Sequence, residues 1–272
     1  MQRPNRVVIV FCLLLVAGCG RYWVCDPPES DLTQLPARLS DTGLDGSNVI
    51  AYTPRFALWS DGAEKQRWID LPSPVDASNA ESWSFPIGTK VWKQFSANGV
   101  MIETRLIERT ASGWLAQSYA WLDDDSDAVA VPDGVANARG TGHDIPGAGE
   151  CLACHGGRKS FVLGYAHVQL DDVAIAGDDA AVAAIGYLHA NCSHCHNQDR
   201  PQHDGARCFD PENSYDFSYT ASQQSIETNG ITAKILDKIT SRGFLKQMPP
   251  LATNVVDDQG VATIRAWFAE LP

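Results

Sequence analysis

Two short runs of the sequence place two cysteines and a histidine at identical spacing. Residues 151–155 read CLACH, here called the N-terminal motif, and residues 192–196 read CSHCH, here called the C-terminal motif. Thiols at this spacing can bond to the two vinyl groups of one porphyrin edge, and the histidine that follows can bind the iron. Random placement of 8 Cys and 7 His in 272 residues gives on the order of 0.006 such runs. The sequence therefore predicts two covalently bound haem c groups, held by Cys151, Cys154, His155, Cys192, Cys195 and His196.

A sixth iron ligand is predicted for the C-terminal motif. Met248 follows His196 by 52 positions and precedes Pro249 and Pro250, which stiffen the loop that carries it. A methionine thioether suits low-spin iron and raises the reduction potential of a haem. The alternative is that Met248 only fills a gap in a hydrophobic core.

The sixth ligand of the N-terminal motif is left open among several residues. The candidates are His143, His167, His189, His194 and Met101. His167 is the one we carry forward as an iron ligand, because it lies twelve residues after His155 with an apolar flank. A core or surface histidine that binds no iron is the default for each of the four histidines. The remaining alternative is an open iron that binds peroxide or another small molecule.

The N-terminus has the pattern of an exported lipoprotein. Arg3 and Arg6 precede a short apolar run that ends in the sequence VAGC. We interpret residues 1–18 as a signal peptide and Cys19 as the lipidated residue; a plain secretory signal is the alternative. Because Gly20 rather than aspartate follows, the resemblance to bacterial lipoproteins favours an outer-membrane protein that faces the periplasm.

The net charge indicates which classes of partner the protein binds. The formal net charge of -12 argues against nucleic acid and anionic lipid, and suits a redox partner protein with a basic surface. The membrane contact is then made through the lipid on Cys19.

Cys12 leaves with the signal peptide, whereas Cys25 and Cys208 remain and are available for a disulfide in an exported protein. Nothing in the sequence shows that these two meet.

Ahead of the motifs, turn residues separate short strand-like runs, which is typical of an antiparallel β domain. Residues 19–45 are typical of a tether, and residues 46–125 contain short strand-like runs rich in aromatic residues. Asn98-Gly99 between two such runs predicts a hairpin, and a third strand is expected over 114–122. In the second run Glu103 and Arg105 alternate with apolar residues, which predicts a wet face. Residues 126–150 have the composition of a linker.

The region that contains the motifs, residues 151–272, has mainly helical periodicity. Helices are predicted over 178–191, over 232–241 with a C-cap at Gly243, and from about 259 to 271, with a polar loop over 197–230. We therefore predict a multi-domain α+β protein, with an antiparallel β-sandwich-like domain followed by a mainly α-helical cytochrome c domain.

Several longer segments resemble a family of largely uncharacterised bacterial di-haem c-type cytochromes. They are YTPRFALWSDGAEK at 52–65, FPIGT at 85–89, ETRL at 103–106, CLACH at 151–155, YLHANCSHCHN at 187–197 and the turn at Met248. The resemblance covers about residues 40–272 and implies an aromatic β-rich region ahead of two haem sites. The second region also resembles the class I cytochrome c fold, which implies that Gly186 packs against Trp267 or Phe268 of the last helix.

These observations favour a lipid-anchored electron carrier over an enzyme. The main alternative is a small peroxidase-like di-haem oxidoreductase with an open first iron, although the 41 positions from Cys151 to Cys192 are few for such enzymes. A Cys₄ zinc site is a weaker alternative, because zinc gives no reason for a histidine after each cysteine pair. The sequence contains no hydrolase or nucleotide-binding motif.

Overall fold

The computed structural model describes residues 34–170, 173–198, 215–243, 246–251 and 253–271. The predicted signal peptide, the lipidation site Cys19, and the pair Cys25 and Cys208 all lie outside these residues. Within the described ranges, no helix is both long enough and apolar enough to cross a bilayer.

A six-stranded antiparallel sheet forms the first half of the described chain. Its strands pair in sequence order, so that the sheet is a simple meander. The strands are β1 (Ile50–Ala51), β2 (Glu64–Asp70), β3 (Lys90–Ala97), β4 (Val100–Arg109), β5 (Trp114–Trp121) and β6 (Ala128–Ala130). The last of these lies in the stretch predicted to be a linker. Two 3₁₀ helices flank the sheet, at Leu39–Thr42 and Ala138–Gly140.

The predicted hairpin is confirmed. Asn98 and Gly99 join β3 to β4 with φ values of 52° and 79°. Positive φ at both central positions gives a turn whose twist matches that of the flanking strands, and asparagine and glycine tolerate it best. The third predicted strand is also present, as β5.

The sheet differs from two expectations, which were a sandwich-like pair of sheets and a solvent-exposed face on β4. Both of its faces are covered by other parts of the chain. The described residues form a single sheet and not a sandwich of two. On one face Trp92, Leu106 and Tyr119 pack with Leu39. On the other face, the N-terminal motif and residues 161–166 cover the strands. The expected wet face of β4 was therefore wrong, and Glu103 has no exposed surface.

Among the described residues, six helices follow the sheet, so that the fold is a mixture of α and β. They are α1 (Ala148–His155), α2 (His167–Leu170), α3 (Asp179–Asn191), α4 (Ser222–Asn229), α5 (Thr232–Thr240) and α6 (Asp258–Phe268). The three predicted helices correspond to α3, α5 and α6. Helix α4 was missed, because its sequence is polar and only Ser222 and Ile226 are buried. The expected C-cap at Gly243 was wrong, since α5 ends at Thr240 and its C-cap is Ser241.

Helices α3 and α6 pack closely, but through different residues from those expected. A β-carbon at Gly186 would lie 2.1 Å from the ring of Phe56, which lies between β1 and β2. The glycine that meets an aromatic ring between the two helices is Gly260, where a β-carbon would lie 2.2 Å from the ring of Tyr187. The expected pairing of Gly186 with Trp267 or Phe268 is corrected accordingly. Gly186 instead joins α3 to the chain ahead of β2.

Candidate haem sites

The C-terminal motif lines a cavity between helices, here called the helix cavity. It contains about 710 Å³ of space, part of which is open solvent, and its walls are mostly apolar. Cys192, Cys195, His196 and Met248 all line it, so that both thiols and both predicted axial ligands face one space. The other walls come from Leu188 and Asn191 of α3, from Ile231, Lys234, Ile235, Lys238 and Ile239 at α5, and from His194, Tyr215, Phe217, Pro249 and Pro250.

Helix α3 delivers the C-terminal motif to this cavity. The Asp178 carboxylate accepts a hydrogen bond from the Ala181 amide and so caps the start of the helix. The helical hydrogen bonding continues past its end, because the amides of Cys192 and His196 donate to the carbonyls of Leu188 and Cys192. The motif is therefore held as a direct extension of a buried helix. The His196 ring packs edge-on against Phe217, with ring centres 5.4 Å apart.

Met248 reaches the same cavity from a constrained loop. Its amide donates a 3.0 Å hydrogen bond to the Lys238 carbonyl of α5. The Thr253 hydroxyl donates to the Pro249 carbonyl at 3.0 Å and closes the loop on its far side. The loop is thus tied to the helix that forms one wall of the cavity.

The N-terminal motif lines a second cavity, here called the sheet cavity. It contains about 1010 Å³ of space, part of which is open solvent, and its lining includes Cys151, Cys154 and His155. Part of its wall is the sheet itself, through Arg67, Val91, Lys93, Phe95, Arg105 and Ile107. Tyr52 and Trp59 contribute from the chain ahead of β2, and Pro249 and Leu251 from the methionine loop.

The His155 ring is oriented as a metal ligand would be. Its Nδ1 lies 2.7 Å from the Phe161 carbonyl, and since a carbonyl only accepts, Nδ1 carries the proton. The lone pair is therefore on Nε2, and a backbone partner of this kind fixes the tautomer of many metal-bound histidines. Burial lowers the pKa of His155 to about 4, although the bond to Phe161 opposes this, so the ring is neutral at pH 7.

The candidates for a sixth ligand at the N-terminal motif separate clearly in space. Of the five, only His194 lines the sheet cavity. His167 instead packs against the Trp83 ring, with ring centres 4.9 Å apart. His143 lies 2.6 Å from a Glu103 carboxylate oxygen, and His189 packs against Tyr219. Met101 is the fifth candidate and does not line either cavity.

The two cavities are neighbours with a common wall. His194 and Pro249 line both of them. The motifs themselves also touch, because Ala153 and Cys195 pack together with Leu251. The Asn197 side chain donates a 3.0 Å hydrogen bond to the Gly157 carbonyl, and the Arg158 guanidinium donates to the Ser193 hydroxyl. The two predicted haem sites therefore form one unit, although 41 positions separate them in the sequence.

The donor sets fit two haem c groups. Within the described residues, Cys151, Cys154 and Cys192 form no disulfide, which leaves their thiols available for thioether bonds. Each cysteine pair lines one cavity together with its own histidine, as two separate attachment sites require. Within the described ranges, no group of three or more His, Cys, Asp or Glu residues is placed to hold a metal ion.

The charged residues of the sheet cavity were not predicted from the sequence as part of a site. Arg67, Lys93 and Arg105 sit on three different strands, and only the sheet register brings them together. The sequence held only a weak signal for them, namely the charged residues Glu103 and Arg105 within the strand-like run that forms β4.

No protein-family model, curated protein or solved structure matches this chain.

Proposed function

We propose that this protein is a di-haem c-type cytochrome that carries electrons in the periplasm. The observation that carries the proposal is the pair of adjoining cavities, each lined by both thiols and the histidine of one motif. Cys151 and Cys154 would hold one haem with His155 as proximal ligand, and Cys192 and Cys195 the other with His196. A bound haem c supplies one-electron chemistry, in which the iron alternates between its ferric and ferrous states.

The part of the chain around the helix cavity supports a cytochrome c domain of the class I type. Helices α3 and α6 pack through Tyr187 and Gly260, while α5 and the Met248 loop close the opposite side of the cavity. In this proposal, Met248 is the sixth ligand of the second haem. Its thioether would raise the reduction potential of that site and keep other ligands from the iron. The apolar walls would exclude water from it.

The common wall supports electron transfer within the chain. Because His194 and Pro249 face both cavities, one layer of side chains separates the two sites. The hydrogen bond from Asn197 to Gly157 and the packing of Ala153 on Cys195 hold this separation fixed. The protein contributes a rigid spacing between the two groups, as a carrier needs. The sheet would brace the first haem site.

The proposed setting is the bacterial outer membrane, with lipid on Cys19 and the cytochrome facing the periplasm. Support comes from the VAGC sequence and from the haem motifs, since haem c is attached outside the cytoplasm. The acidic composition supports a redox partner with a basic surface. Membership of the di-haem family described above is part of the same proposal.

A second candidate function is that of a peroxidase-like oxidoreductase. It is favoured by the lining of the sheet cavity, which contains no methionine and no histidine besides His155 and His194. If His194 does not bind the first iron, that iron has an open position. Tyr52, Lys93 and Arg105 would then surround a small ligand with polar groups.

Carbon monoxide binding to the reduced protein tests the proposal and separates the two functions. The protein is produced with a periplasmic haem-attachment system, and the pyridine haemochrome assay is expected to give two haems per chain. If both irons are six-coordinate, carbon monoxide leaves the reduced spectrum unchanged, and His194→Ala makes half of the absorbance responsive. His167→Ala is the matched control and should change nothing. A wild-type response from one haem would favour the oxidoreductase, and a chain without haem would refute both functions.

A further inference from the structure

Three cations lie in a row across the sheet beneath the N-terminal motif. Arg67 of β2 is directly opposite Lys93 of β3, and Lys93 is directly opposite Arg105 of β4. All three side chains line the sheet cavity. Like charges at directly opposed positions of a sheet destabilise it, so this cation row requires a compensating interaction.

The negative groups nearby do not balance the row. Glu103 accepts a 2.8 Å hydrogen bond from Nε of Arg105 and lies 2.6 Å from the His143 ring, so its carboxylate is already engaged. Glu150 also lines the cavity, but its carboxylate accepts from the Gly147 amide at the start of α1. These are the acidic side chains at this site. They leave Arg67 and Lys93 unmatched.

Arg67 and Lys93 make no salt bridge within the described part of the chain. Arg67 is 8% exposed, and the Lys93 ammonium lies over the Phe95 ring at 4.9 Å from its centre. Desolvation holds the pKa of Lys93 well below its usual value, and the charges of Arg67, Arg105 and Lys65 lower it further, while the Glu103 charge opposes them only in part. Buried cations are normally paired, because removal from water is costly without an opposite charge.

We propose that the cation row is an anion subsite, in which Arg67 and Lys93 bind a carboxylate or an inorganic oxyanion. Two sources share this chemistry. One is the pair of propionates of the haem attached at Cys151 and Cys154, in which case the inference deepens and rests on the proposed function. The other is a free oxyanion that enters the cavity. In both cases the bound anion supplies the charge that the row lacks, and the sheet becomes part of the ligand site.

The experiment compares Lys93→Gln with Lys90→Gln in the haem-loaded full chain. Lys90 belongs to the same strand but faces the other side of the sheet, where its ammonium donates to the Thr42 carbonyl at 2.9 Å. Both variants lose one positive charge. Arg67→Gln is a second test variant in case Lys93→Gln does not fold. The haem count of each preparation is measured first by the pyridine haemochrome assay.

Two readouts decide between the sources. If propionates occupy the row, the propionate-bending band in the resonance Raman spectrum of one haem shifts in Lys93→Gln and not in Lys90→Gln. If a free oxyanion occupies it, sulfate at constant ionic strength binds the wild type saturably, and Lys93→Gln weakens that binding at least tenfold. The proposal is overturned if the band does not move and sulfate does not bind.

The same measurements separate this proposal from the function proposed above. A chain that carries no haem would refute the cytochrome function, and the anion subsite would then be judged by sulfate binding alone. Two attached haems with an unmoved Raman band and no sulfate binding would leave the cytochrome intact and refute the subsite.

Discussion

The contact between Gly186 and Phe56 predicts that the effect of one alanine substitution changes sign with its background. A β-carbon at Gly186 would lie 2.1 Å from the nearest Phe56 ring atom, whereas carbon atoms pack at about 3.5–4.0 Å. The ring must therefore move by about 1.5 Å, and overpacking of this kind costs about 1–3 kcal/mol. Alanine inside a helix is about 1 kcal/mol more favourable than glycine. Gly186→Ala should therefore lower the free energy of unfolding by about 1 kcal/mol.

In a Phe56→Ala background the ring is absent, and only the helical preference remains. Gly186→Ala should then raise the free energy of unfolding by about 1 kcal/mol, which gives a coupling energy of about 2 kcal/mol. Urea unfolding of the four proteins, followed by circular dichroism in the far ultraviolet, measures each value. Gly243→Ala is not a suitable control because φ there is 139°, so the cycle itself provides the reference. A stabilising effect of Gly186→Ala in both backgrounds would refute the reasoning.

Two further predictions concern the proposed haem ligand Met248 and the buried carboxylate of Glu103. Met248→Leu should lower the reduction potential of one haem and make its ferrous form bind carbon monoxide, whereas the control Met101→Leu should do neither. Spectroelectrochemistry measures the potentials of both variants. Unchanged potentials in Met248→Leu would contradict the assignment of Met248 as a ligand. Burial alone would raise the pKa of Glu103, but Arg105 and the hydrogen bond with His143 hold it below its usual value. Its stabilising contribution is then complete above the unfolded-state pKa of about 4.3 and is lost as the pH falls through the lower folded-state pKa. Glu103→Gln should lower the free energy of unfolding by about 3–5 kcal/mol at pH 7, because it leaves a buried cation without its partner. On acidification, the variant should then lose less stability than the wild type does. Urea midpoints of both proteins at pH 7 and below pH 4 measure this, and equal acid sensitivity of the variant and the wild type would count against the prediction.

Local patterns predicted the elements that depend on neighbouring residues. The Asn98-Gly99 hairpin, helix α3 and the amphipathic α5 all follow from turn chemistry and from the periodicity of apolar residues. Helix α4 was not predicted, because its sequence has little apolar periodicity. It is held by the burial of Ile226 in the core around α3 and α6.

Long-range packing decided the features that periodicity predicted wrongly. A wet face for Glu103 and Arg105 would have been correct for a sheet with one covered side. The N-terminal motif covers that side instead, and the polar residues become the wall of a cavity. The partner of Gly186 was likewise wrong, because the ring that fills the space comes from Phe56, 130 positions earlier.

The sequence by itself determined the chemistry that each site can perform, since the cysteine and histidine spacing of the two motifs is a local property of the chain. The tertiary structure alone decided what surrounds that chemistry. It brought Met248 to the cavity of His196, made His194 and Pro249 a common wall, and aligned Arg67, Lys93 and Arg105 across three strands. The physical reason is that these arrangements depend on strand register and on the close packing of distant segments, which no short stretch of sequence encodes.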